Sequence, residues 1–112
     1  MEALAAGSVI LIPFPFSDLS QSKIRPALVL ADAERGDWIL CQITSKPYAD
    51  RRAVQLDRAD FVSGGLELTS YVRPGKIFTA NETLIIEKVG QLRAEKVDAI
   101  LRSVAGLFTN KF

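Results

Sequence analysis

The chain has 112 residues, 48% hydrophobic and 24% charged, with a net charge of +1, a balance that suits one compact domain with a modest core spanning residues 1–112. It contains no histidine, which excludes a Ser-His-Asp triad, a Cys-His dyad and any zinc site built on imidazole. Its single cysteine, Cys41, excludes an internal disulfide and a cysteine metal cluster. Any catalysis must therefore use Arg, Lys, carboxylates, hydroxyls or backbone amides. No apolar run approaches the roughly 20 residues of a membrane span, and the N-terminus lacks the basic segment of a signal peptide, so a cytoplasmic protein with no membrane partner is expected.

In chain order, "SVILIPF" reads as a strand closed by proline. Residues 17–24 form a polar loop before Arg25-Pro26. "PALVLAD" and "WILCQITS" are two further apolar runs joined by "AERGD", whose Gly36-Asp37 pair suits a tight reversal and an antiparallel hairpin. Cys41 lies inside the second run and reads as an inert, buried thiol. "AVQLD" alternates as a half-buried strand, "FVSGGLELTS" breaks at Gly64-Gly65, and "YVRPGKIFT" is extended around a turn or bulge at Pro74-Gly75. "LIIEKVGQL" fits a helical turn or a strand equally.

From Ala94 the period changes. Val97, Ile100, Leu101, Val104, Leu107 and Phe108 recur at helical spacing, the pattern of an amphipathic helix laying one stripe on a sheet. The expected fold is mostly β with a C-terminal helix: a small, strongly bent antiparallel sheet or partial barrel.

Polar residues at strand ends are the candidate site. Pro26 restrains Arg25 to extended backbone, so the guanidinium rises from a fixed base beside a Ser-rich flap, and its planar fork suits a phosphate. Thr44 and Ser45 end a strand before Lys46-Pro47, where a hydroxyl can donate to an anionic oxygen. Arg73 precedes Pro74-Gly75 as Arg25 precedes Pro26. Each has a plain structural reading as well: a surface ion pair for the arginines, a backbone-bonded hydroxyl for Thr44. Lys23, Arg25, Lys46, Arg51, Arg52, Arg58, Arg73 and Lys76 either converge on one face or are scattered solvated charges. Phe16, Trp38, Tyr48 and Tyr71 are possible stacking platforms, with Phe16 and Trp38 also fitting the core.

"GSVILIPFPFSDLSQSKIRPALVL", "SYVRPGKIFT", the Ile43-Thr44 strand end and the closing "KVGQL" plus helix together resemble the MazF/PemK family of toxin endoribonucleases from bacterial toxin-antitoxin pairs. The resemblance implies an SH3-like barrel, a homodimer, a cognate antitoxin, and cleavage of single-stranded RNA without metal or cofactor. The ribose 2′-hydroxyl attacks the adjacent phosphorus, leaving a 2′,3′-cyclic phosphate and a 5′-hydroxyl. Arg25 falls on the family's catalytic arginine, which implies that it neutralises the phosphorane and protonates the leaving oxygen. Thr44 falls on the hydroxyl residue, with Ser45 as the alternative for that role. Lys23, Ser45, Lys46, Arg73 and Lys76 are the expected RNA contacts. Gly75 stands where some members carry an acid two residues beyond the arginine matched by Arg73, which argues against an Arg73-acid relay. A gyrase poison of the CcdB type shares this fold, but its C-terminal Trp-Gly-Ile is replaced here by Thr-Asn-Lys-Phe; a silent binding module is the third reading.

Overall fold

The computed structural model describes residues 3–14, 23–47 and 49–109. Phe16, Tyr48 and most of the 17–24 loop lie outside the described residues. The elements run β1 (Ser8–Phe14), β2 (Lys23–Asp32), β3 (Asp37–Thr44), β4 (Val54–Leu56), β5 (Phe61–Gly64), β6 (Ser70–Asn81), β7 (Glu87–Leu92) and α1 (Ala94–Thr109), with 3-10 turns at Arg58–Asp60 and Glu82–Leu84. The segment that fits helix or strand equally is therefore a 3-10 turn followed by a strand. Lys23 and Ile24, expected in a loop, open β2, because pairing of β1 with β2 continues to Phe14 opposite Lys23.

The strands form one antiparallel sheet in the order β4-β6-β3-β2-β1-β7-β5. Leu56 on one outermost strand and Phe61 on the other share a buried cluster with Val9, Leu28, Cys41, Ile43 and Val72, so the sheet curls until its two edges meet over one core. Helix α1 closes that core with Val97 and Ile100 buried and Leu101 and Val104 partly buried against it. The apolar stripe outruns the sheet, however: Phe108, expected to pack, is 73% exposed.

Strand residues of the opposite parity build a second cluster on the other face, from Ile10, Ile12, Phe14, Ala27, Val29 and Leu40, with Trp38, Phe78 and Ala80 packed on it. Both faces of the central strands are thus apolar, which is why β1 and β2 read as continuous hydrophobic runs rather than alternating ones. The β2-β3 reversal places Glu34, Arg35 and Gly36 at φ 71°, 57° and 81°, and Asp32 Oδ1 accepts from the Glu34 amide at 2.7 Å.

Strand β6 carries the irregularity that shapes the site. Its pairing with β3 passes from Cys41 opposite Ile77 to Ile43 opposite Val72, so Arg73 to Lys76 all stand against the one residue Gln42. Pro74, which has no amide to give a ladder, is fully buried inside this bulge.

Candidate functional site

Arg25 lies three residues into β2, exposed, opposite Ile12 of β1. Pairing of β2 with β3 runs Val29 to Leu40, Leu28 to Cys41 and Ala27 to Gln42, where the ladder ends; Arg25 stands two residues beyond Ala27 on β2 and Thr44 two beyond Gln42 on β3, so each keeps the face of that pair. Directly opposed residues share a face of the sheet. Thr44 in turn opposes Tyr71 of β6. By the two-residue period, Lys23, Arg25, Gln42, Thr44, Tyr71 and Arg73 occupy one face, although they come from three strands.

Thr44 is 9% exposed. Its Oγ1 accepts from the Lys46 amide at 3.1 Å and donates to the Lys46 carbonyl at 3.2 Å, the backbone-bonded arrangement open to a strand-end hydroxyl. Rotation of the hydroxyl frees its proton while the accepted bond keeps Oγ1 in place. Ser45 and Lys46 are exposed just beyond the strand end.

Arg73 is tied from two sides. Its Nε donates to Asp50 Oδ2 at 2.9 Å, and its Nη1 donates to Gln42 Oε1 at 3.3 Å. Asp50 is itself braced. Its amide closes a turn onto the Pro47 carbonyl at 2.9 Å, and its Oδ1 accepts from the Arg52 amide at 2.9 Å. The Arg73 hydrogen bond, then that of Arg52, hold the Asp50 carboxyl below its ordinary value. A carboxylate thus reaches Arg73 from a loop, not from position 75. Sequence reasoning missed both Asp50 and Gln42; the only local signal was the acid at the head of "DRR", which says nothing about a partner 23 residues away.

Cys41 sits beneath this face, on the core side. Burial pushes its thiol up to about 12, and Sγ donates to the Arg73 carbonyl at 2.8 Å, so it is a packed thiol and not a nucleophile. Lys76, Gly75, Ile77 and Phe78 line a cavity of about 400 Å³ with Gln42 and Arg73. Trp38 is half-buried in the second cluster, its Nε1 donating to Glu82 Oε2 at 3.3 Å. Arg58 lies on the 3-10 turn between β4 and β5 and lines a separate cavity with Asp57 and Glu67; the structure does not bring it to the Arg25 face. Among the described residues, no three His, Cys, Asp or Glu side chains converge as a metal site.

No curated protein matches the chain. Among solved structures, the MazE-MazF complex (Form-II) from Deinococcus radiodurans superposes with a TM-score of 0.75 at 21% identity, covering 99% of this chain and 100% of that one. The Mycobacterium tuberculosis toxin MazF-mt6 gives a TM-score of 0.69 at 18% identity, over 94% and 98%. An endoribonuclease in complex with its cognate antitoxin from a Mycobacterial species gives 0.69 at 18%, over 94% and 97%. At such identities the likeness is one of fold. The sequence itself matches the family model for PemK-like, MazF-like toxins over residues 5–108, a span that takes in every strand and nearly all of α1, and on that match the chain belongs to the PemK-like, MazF-like toxins of type II toxin-antitoxin systems.

Proposed function

We propose that the chain is a metal-independent endoribonuclease that cleaves single-stranded RNA in the cytoplasm, acts as a homodimer and is held inactive by a cognate antitoxin. The observation that carries this reading is the strand parity by which Arg25, Gln42, Thr44 and Arg73, from three strands, fall on one face. Such a face can hold a phosphodiester while its own 2′-hydroxyl attacks. A bond forms from the 2′ oxygen to phosphorus, the bond to the 5′ oxygen breaks, the 2′ proton is lost and the leaving oxygen gains one. Arg25 neutralises charge on the non-bridging oxygens of the phosphorane, and Thr44, its hydroxyl turned from Lys46, donates to one of them. A guanidinium keeps its proton and is a poor base, so Arg25 contributes charge to the step. Lys23, Ser45, Lys46, Arg73 and Lys76 surround this pair or end the same strands and serve as contacts to neighbouring phosphates. Two toxin folds similar to this one are described as complexes with their antitoxins, which supports the antitoxin part of the reading.

The test is incubation of the purified protein with RNA in EDTA, followed by analysis of the new ends. Products ending in 2′,3′-cyclic phosphate and 5′-hydroxyl are expected, with no loss of rate in the chelator. Loss that magnesium restores overturns the mechanism. A parallel reaction with gyrase and supercoiled DNA is expected to show no trapped cleavage; trapping there would establish the gyrase-poison reading.

A further inference from the structure

The β6 bulge sets four residues against Gln42, and the surplus backbone leaves the cavity of about 400 Å³ lined by Gln42, Arg73, Gly75, Lys76, Ile77 and Phe78. That is the small end of the range for ligand sites, room for a single nucleotide. Its walls divide by chemistry. Phe78, locked edge-on against Phe14 with ring centres 4.9 Å apart and an interplanar angle of 84°, and Ile77 offer apolar surface. Arg73 and Lys76 supply positive charge. Around the position of a Cβ on Gly75 there is nothing within 4 Å, so that side is open.

The polarity of Gln42 is decided by its neighbour. Arginine only donates, so the Gln42 carbonyl oxygen must face Nη1 of Arg73 at 3.3 Å, and the amide NH₂ is the end left without a partner among the described residues. Arg73 cannot swing away to release that oxygen, because Asp50 holds its Nε at 2.9 Å and Asp50 is itself fixed by Arg52.

We propose that this cavity is a nucleobase subsite in which the Asp50-Arg73-Gln42 chain presents a donor-only amide, so that it takes a keto base, uracil or guanine, in preference to cytosine or adenine. The proposal rests on the RNA-cleaving reading and names one subsite of it. An amide NH₂ that lines the cavity with two cations attracts a base carbonyl and repels an exocyclic amino group, the edge by which keto and amino bases differ.

Two measurements test it. Cleavage of a randomised RNA pool is mapped for wild type, Gln42→Ala and Asp50→Asn. Wild type is expected to restrict one position of its site to U or G. Gln42→Ala relaxes that position by about 10-fold, the scale of one lost base contact, and leaves other positions alone; Asp50→Asn relaxes the same position partially. Separately, the four nucleoside 5′-monophosphates are titrated into the wild-type protein while the Gln42 side-chain amide and Phe78 ring signals are followed by NMR, with uridine and guanosine monophosphates shifting them at lower concentration. A mapped site whose base preferences Gln42→Ala does not change, or equal titration by all four nucleotides, overturns the subsite. A wild-type protein that cleaves no RNA but binds keto nucleotides at Gln42 overturns the endoribonuclease reading and leaves the subsite standing.

Discussion

Arg25 is exposed, yet its backbone is held in the sheet, paired to Ile12 on one side and followed by a proline opposite Leu11. That combination was legible in the sequence, because Arg-Pro at the head of an apolar run fixes a charge at a strand mouth whatever the tertiary fold. Arg25→Ala is expected to lower RNA cleavage by at least about 10²-fold, the scale for one lost transition-state charge contact, with an unchanged melting temperature; full activity at equal soluble concentration removes Arg25 from the site. Asp50 was not legible, since its role depends on a turn that carries it to a strand remote in sequence. Its carboxyl is held below the ordinary 3.8 by Arg73 and the Arg52 amide, with the charges of both arginines adding to the effect. A lowered carboxyl favours the folded state above 3.8 and loses that contribution as pH falls through the folded value. The stability difference between wild type and Asp50→Asn should accordingly be constant from about pH 5 to 8 and shrink once the pH drops toward and below 3.8. A difference that grows on acidification contradicts the pairing.

At the scale of elements, the strands and the helix were legible where hydrophobic periodicity is long, as in β1, β2, β3 and α1. Strand β7 was ambiguous because Leu84, Ile85 and Ile86 precede it, and in a short apolar run the two periods coincide; only Ile85 of the three is buried. The bulge in β6 could be located at Pro74-Gly75 but not sized, since the number of residues it absorbs depends on β3. Likewise, the Gly64-Gly65 break reveals its purpose only in the fold. Gly64 has φ +65°, and a Cβ there would lie 2.0 Å from the Val89 carbonyl oxygen on β7. Backbone cannot move aside as a side-chain tip can, so Gly64→Ala should cost about 3 kcal/mol from overpacking and left-handed strain and lower the melting temperature by roughly 10 °C or more. Gly75→Ala meets nothing and serves as the control, expected within about 0.5 kcal/mol of wild type; equal melting temperatures for both variants would refute the close approach at β7.

For the whole molecule, net charge and function diverge. A total of +1 argues against indiscriminate nucleic-acid binding, yet Lys23, Arg25 and Arg73 gather on one face while Asp60 pairs with Lys96 at 3.6 Å on another. The cationic face is the expected seat of an acidic antitoxin segment that folds on binding, which would replace RNA phosphates by carboxylates. In a titration with labelled, uncleavable RNA, the antitoxin should displace RNA, and moderate salt should weaken both complexes; a ternary complex would show that inhibition acts from a distance.

The strand order has a bearing on synthesis. Strand β1 is made well before β7, in which it finds one of its two neighbours, pairing Ser8 with Gln91 and Leu11 with Glu87, and the core that the curled sheet encloses lacks Leu92, Val97 and Ile100 until β7 and α1 have been translated. A growing chain therefore carries Arg25, Thr44 and Arg73 long before it can seal the sheet that aligns them. Completion of the face is thereby tied to the synthesis of β7 and α1, and not to the synthesis of the residues it presents.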